Sequence, residues 1–119
     1  KIKDLLMNQK FIAGLGNIYC NEILFLCKIN PNRISNKISK RELIKLVKFT
    51  KKTLKKSISQ GGSSIKNFAN TEGQNGSFQQ KFNVYNREQG KCKTKNCRSI
   101  IKKIYTSGRS SFFCPECQK

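Results

Sequence analysis

The stretch "LMNQKFIAGLGNIYCNEILF", residues 6–25, decides the class of the fold. On its N-terminal side, residues 1–13 read as an amphipathic helix, with Ile2, Leu5, Leu6 and Ile12 falling on one side. The two glycines of "GLGN", Gly14 and Gly16, permit a tight backbone that other residues resist. Asn17 then stands as an N-cap for a second helix through "NIYCNEILFLCKI", and Pro31 closes the section. Two helices joined by a compact glycine turn make the first part of the chain helical.

Working outward, "SKRE" at residues 39–42 is a capping box in which Ser39 and Glu42 satisfy each other's backbone N–H. Leu43, Leu46, Val47, Leu54 and Ile58 follow at helical spacing, so a third helix presents one apolar stripe, with lysines on its other faces and Gly61-Gly62 at its end. Residues 63–82 are rich in Gly, Ser, Asn and Gln and read mostly as loop. Beyond them, "SIIKKIY" and "SSFFC" are β-rich runs on either side of "TSGRS", the signature of a hairpin. The expected fold is mainly α: a helical domain over 1–82, then a metal-braced β-hairpin over 83–119.

Charge narrows the partners. Twenty-five Lys and Arg face six acids, a formal net charge of +19. A field of that size repels its own parts, and a polyanion relieves it; nucleic acid is the leading partner. An anionic membrane surface is the rival, but no apolar run reaches the roughly 18 residues that a spanning helix needs, and no secretory signal is visible. Histidine is absent, which excludes imidazole acid–base chemistry and imidazole metal ligands within these residues. The sequence opens on Lys1, not Met, which leaves room for a longer polypeptide.

Six cysteines divide into two groups. Cys92 and Cys97, Cys114 and Cys117 form a Cys-x4-Cys and a Cys-x2-Cys pair separated by sixteen residues. Two short-spaced pairs brought together by a hairpin build a tetrahedral thiolate site suited to one structural Zn2+. Disulfides are the alternative, and they belong to oxidising compartments. Cys20 and Cys27 sit seven apart on an apolar helix face and read as core residues. The hairpin would present Arg109 beside Gly108 at its turn. Only five of the basic residues are arginine, and a planar guanidinium there grips a phosphodiester with two prongs where lysine offers a point charge.

These residues also carry a family resemblance. Residues 6–25 resemble the helix–two-turns–helix segment of the bacterial formamidopyrimidine-DNA glycosylases, "SGRSSFFCPECQ" (107–118) resembles the end of their zinc finger, and residues 61–90 resemble their middle section. Asn8 stands where that family usually has aspartate, and the first cysteine pair has four intervening residues where two are usual. The resemblance implies base-excision repair. Such an enzyme excises oxidised purines such as 8-oxoguanine and formamidopyrimidines, extrudes the base from the duplex, and cleaves the abasic strand by β- and δ-elimination. It implies double-stranded DNA as partner, a monomer, and a bacterial cytoplasmic setting. Lys3 and Asn17 correspond to DNA-contacting residues, and Arg109 to the zinc-finger arginine that grips phosphates and is assigned a catalytic part in δ-elimination. Glu22 corresponds to a glutamate of the lesion region; the alternative is a buried helix-packing carboxylate that pairs with a backbone N–H. Asn70, Thr71, Glu72, Gly73, Gln74, Asn75, Gly76, Ser77 and Phe78 correspond to the loop that folds over the extruded base, or form an ordinary connector. The family's N-terminal proline nucleophile, its following glutamate and its β-elimination lysine have no counterpart here, so the chain resembles the C-terminal half, expected to bind DNA without excising bases. The rival readings are the sister endonuclease VIII, which prefers oxidised pyrimidines, a non-catalytic zinc-finger module, and a ribosomal protein.

Overall fold

The computed structural model describes residues 1–59 and 82–119. Three α-helices come first: α1 (Ile2–Met7), α2 (Asn17–Leu26) and α3 (Lys40–Ser59). A two-stranded antiparallel sheet follows, β1 (Lys102–Thr106) and β2 (Arg109–Phe113), paired from Lys102 with Phe113 to Thr106 with Arg109.

The first helix is shorter than the apolar spacing suggests. It stops at Met7 because the Asn8 side chain accepts the Lys10 N–H at 2.9 Å and turns the backbone out of the helix. Gln9 then holds the two turns together: its amide donates to the Leu15 carbonyl at 3.1 Å and its oxygen accepts the Gly14 N–H at 2.9 Å. Gly14 itself sits at φ 87, which a side chain would oppose. The N-cap of α2 is Gly16, in extended conformation, one residue before the Asn17 expected there.

At its other end α2 closes in a Schellman motif. The Ile29 N–H reaches the Leu24 carbonyl, the Lys28 N–H reaches that of Phe25, and Lys28 takes φ 63 where glycine is usual. The capping box of α3 forms as the sequence suggests, with the Glu42 N–H on Ser39 Oγ at 3.1 Å and the Ser39 N–H on Glu42 Oε2 at 3.0 Å. Arg33 adds a two-pronged pair to the same carboxylate at 2.8 and 2.9 Å.

The apolar stripe of α3 is only partly used. Leu46 is buried and Phe49 and Leu54 pack beside it against α2, but Leu43 and Val47 remain 47% and 55% exposed. The side chain of Ile58 and the glycines after it lie outside the described residues.

Two apolar clusters result. One joins α1, α2 and Leu46 through Ile2, Leu6, Leu15, Ile23 and Leu24, and includes Cys20 and Cys27 as core residues. The other gathers Val84, Cys92, Ile101, Phe112 and Cys114 around Phe25 of α2. Phe25 therefore ties the hairpin to the helices.

Candidate nucleic-acid clamp and metal centre

The hairpin turn is set by two residues at positive φ, Ser107 at 50 and Gly108 at 79. That is the two-residue type I′ geometry, whose twist matches the strands it joins. In this register the outward-facing backbone groups of β2 belong to Ser110 and Phe112, and the helices take the Ser110 carbonyl and the Phe112 N–H. Lys3 Nζ donates to the Ser110 carbonyl at 2.8 Å and to Ser111 Oγ at 2.6 Å. Asn17 Nδ2 donates to the same Ser110 carbonyl at 3.2 Å. Asn21, one turn further along α2, accepts the Phe112 N–H at 2.9 Å and donates to the Asn17 carbonyl at 2.8 Å.

Lys3, Asn17 and Arg109 are thereby brought to one place from three elements. A cleft lined by Lys3, Asp4, Met7, Asn8, Thr106, Ser107 and Arg109 opens beside the turn. Lys3 is buried, and burial pulls its ammonium down to about 8; Cys20 and Asp4 partly oppose this, and the Arg109 charge adds to it. The Arg109 side chain is exposed and makes no hydrogen bond or ion pair with the described residues, so its guanidinium donors stay available. The cleft is a cationic notch floored by a structural lysine and edged by an uncommitted guanidinium.

Glu22 has a different role in the fold. Its two oxygens accept the backbone N–H groups of Asn83, Val84 and Tyr85 at 2.7, 2.8 and 3.0 Å, and the Asn83 side-chain amide at 3.1 Å. Three consecutive N–H groups around one carboxylate are what the packing alternative requires. The expected lesion-loop residues, Asn70 to Phe78, lie outside the described residues. Sequence reasoning does not single out Asn21; a second asparagine one helical turn after Asn17 is the available signal.

At the hairpin's other end, the sulfur atoms of Cys92, Cys97, Cys114 and Cys117 all lie within 4.8 Å of one another. Cys92 and Cys117 are 3.7 Å apart, as are Cys97 and Cys114. A disulfide needs about 2.05 Å, whereas four thiolates about 2.3 Å from a central ion form a tetrahedron with edges of about 3.8 Å. The four residues fit a metal ion. The two extra residues of the first pair are absorbed by a turn in which the Cys97 N–H meets the Thr94 carbonyl at 3.0 Å and Asn96 takes φ 68. Backbone N–H groups support the sulfurs, Thr94 to Cys92 and Cys117 to Cys114. Burial works against ionising Cys92, but hydrogen bonds from Thr94, Cys114 and Cys97 together outweigh it and bring the thiol to about 7. Burial without such help pushes the Cys20 thiol up to about 12.

A helix–two-turns–helix unit clasping a four-cysteine hairpin defines a class of DNA-binding protein, and comparison with known proteins makes it specific. Residues 1–69 match the model of the formamidopyrimidine-DNA glycosylase H2TH domain. The chain belongs to the formamidopyrimidine-DNA glycosylase family. Relatives of that name include one from Dinoroseobacter shibae, 42% identical over 99% of this chain, and one from Shouchella clausii, 45% identical over 98%; each alignment spans 42% of the relative. Among solved structures, the Lactococcus lactis protein in complex with DNA containing an abasic site aligns with TM-score 0.84 and 38% identity, over all of this chain and 43% of that one. MutM in complex with DNA containing carbocyclic 8-oxo-G aligns at 0.83 and 37%, over all of this chain and 42% of that one. The chain thus spans about two-fifths of the length of the proteins it matches.

Proposed function

We propose that this chain is the DNA-gripping part of a bifunctional DNA glycosylase and abasic-site lyase that removes oxidised purines, 8-oxoguanine and formamidopyrimidines, in bacterial cytoplasmic base-excision repair. The observation that carries the reading is the convergence of Lys3 and Asn17 on the Ser110 carbonyl, with Arg109 the adjoining residue. That arrangement fixes the turn while leaving the guanidinium unspent. In the reading, Arg109 and Asn17 hold phosphates around an extruded nucleotide, Lys3 adds charge beneath them, and Arg109 also serves the δ-elimination step. Residues 70–78 cover the base, with Glu22 fixing the chain that returns from them. The division into a helical domain (1–82) and a hairpin domain (83–119) is supported by the two apolar clusters.

The four thiolates hold one Zn2+ in a closed structural site. All four positions are taken by sulfur, so none is left to activate water. The metal's contribution is to lock the hairpin base. Among the described residues no helix is long and apolar enough to cross a membrane, and the reading involves none.

In the reading, Lys3, Asn17 and Arg109 bind and orient the duplex, and these 119 residues are expected to release no base by themselves. The test is to incubate the chain with a duplex carrying 8-oxoguanine and with one carrying an abasic-site analogue. Retained duplex, one equivalent of zinc and no released base are the expected results; base release by this chain would overturn the division of labour. A chain that binds no duplex would overturn the reading itself.

A further inference from the structure

The exposed side of α3 carries a second basic surface, separate from the clamp. Arg41, Lys45, Lys48, Lys52 and Lys55 recur at steps of four, three, four and three, and all five are exposed. At 3.6 residues per turn they fall within about 80° of arc, and at 1.5 Å per residue they run for about 21 Å. The result is a straight row of cations along the helix. None of the five lines the cleft beside Arg109. The helix packs on α2 through Leu46, Phe49 and Leu54, so the row points away from the molecule.

Among the described residues no ion pair neutralises this row: Asp4 pairs with the N-terminal amine, Glu42 with Arg33 and Glu88 with Lys103, while Glu22 holds backbone N–H groups. Like charges three and four residues apart oppose the helix, and the row contains four such neighbours. An extended polyanion relieves that repulsion along the whole length.

We propose that this row is a second, lesion-independent contact for the phosphate backbone of duplex DNA. Its length corresponds to about six steps of one strand at 3.4 Å each. An anionic lipid surface is the competing occupant, since Leu43, Ile44 and Val47 are exposed on the neighbouring arc. Those aliphatics occupy only the first turns of α3, whereas the cations continue to Lys55, which favours a linear polyanion. The inference rests on the DNA-binding reading and adds to it a surface that holds intact duplex while the clamp engages damage.

The test compares the wild-type chain with R41Q/K45Q/K48Q/K52Q/K55Q and with R109A, on an intact duplex of about 25 bp, on an abasic-site duplex and on vesicles containing phosphatidylserine, across a salt series. Each lost phosphate contact lowers the slope of log affinity against log salt by about 0.9, so neutralising the row should reduce it by about 3 to 4 and weaken intact-duplex binding at least about tenfold at about 0.1 M salt. The milder K48Q/K52Q, with helix content checked by circular dichroism, should reduce the slope by about 1.5 to 2. Unchanged slope and affinity in the row variants would overturn the proposal, as would a loss confined to vesicles containing phosphatidylserine. Loss in the row variants with R109A unaffected on the abasic duplex would instead strike the clamp and leave the row standing.

Discussion

The two ends of one hairpin are held by different physics. At the base, four cysteine sulfurs converge to within 4.8 Å and fit a tetrahedral ion. At the turn, no metal or apolar plug is involved; three polar side chains, Lys3, Asn17 and Asn21, satisfy the outward edge of β2. The base is closed by its own sulfurs and tied to α2 through Phe25, and to the residues just after α2 by the Gln118 amide on the Ile29 carbonyl, whereas the turn is held by polar side chains of α1 and α2. The comparison teaches that the rigidity of the hairpin comes mainly from its base and the placing of its turn from the polar clasp.

The largest effect should come from the base. Structural Zn2+ supplies about 10 kcal/mol or more of folding free energy in small thiolate sites at neutral pH, which the few apolar residues around Phe112 cannot replace. Chelation, or C114S, should abolish the slow amide exchange of β1 and β2 while leaving α2 and α3 helical. A hairpin protected equally with and without metal would mean that the turn alone suffices.

Glu22→Ala comes next. It strips the acceptor from three consecutive backbone N–H groups, each costing about 1–3 kcal/mol when left unpaired, so a loss of about 3 kcal/mol or more is expected in urea unfolding. Unchanged stability would return Glu22 to a purely ligand-facing role. Asn21→Ala leaves one buried N–H, that of Phe112, without its partner, and should cost about 1–3 kcal/mol.

The smallest effect is a pH dependence of the turn. Lys3 is lowered to about 8 from an ordinary 10.5, chiefly by burial. The folded protein therefore loses that proton first, and between about pH 8 and 10.5 stability rises with pH because the unfolded chain binds more protons. DNA affinity runs the other way, since the charge that a phosphate needs disappears. A few-fold fall in affinity between about pH 7 and 9, absent in K3M, is the expected signature.

What the sequence revealed follows the same division. The four cysteines announce themselves by spacing, because a metal demands those atoms and little else nearby. The capping box at Ser39 and Glu42 is equally local and formed as written. The turn clasp was half visible. Arg109 stands out by its turn and by resemblance, and Lys3 and the DNA-contacting part of Asn17 by resemblance, but Asn21 does not, since its partner is a backbone N–H ninety-one residues away. The end of α1 at Met7 was also hidden, because Gln9 bonds to Gly14 and Leu15 override an apolar spacing that continues to Ile12. The stripe of α3 shows the opposite failure. Periodicity identified Leu43 and Val47 as one face with Leu46, but not how far that face extends beyond the helix it packs against.

The central claim is that Asn17 and Arg109 act as one clamp on a distorted duplex. Competitive fluorescence anisotropy, with an abasic-site duplex against its intact twin at near-physiological salt, tests it most directly. The account predicts a clear preference for the damaged duplex, lost in both N17A and R109A while both variants keep their metal and their helices. Equal affinity for the two duplexes, or a preference that survives both substitutions, would contradict it.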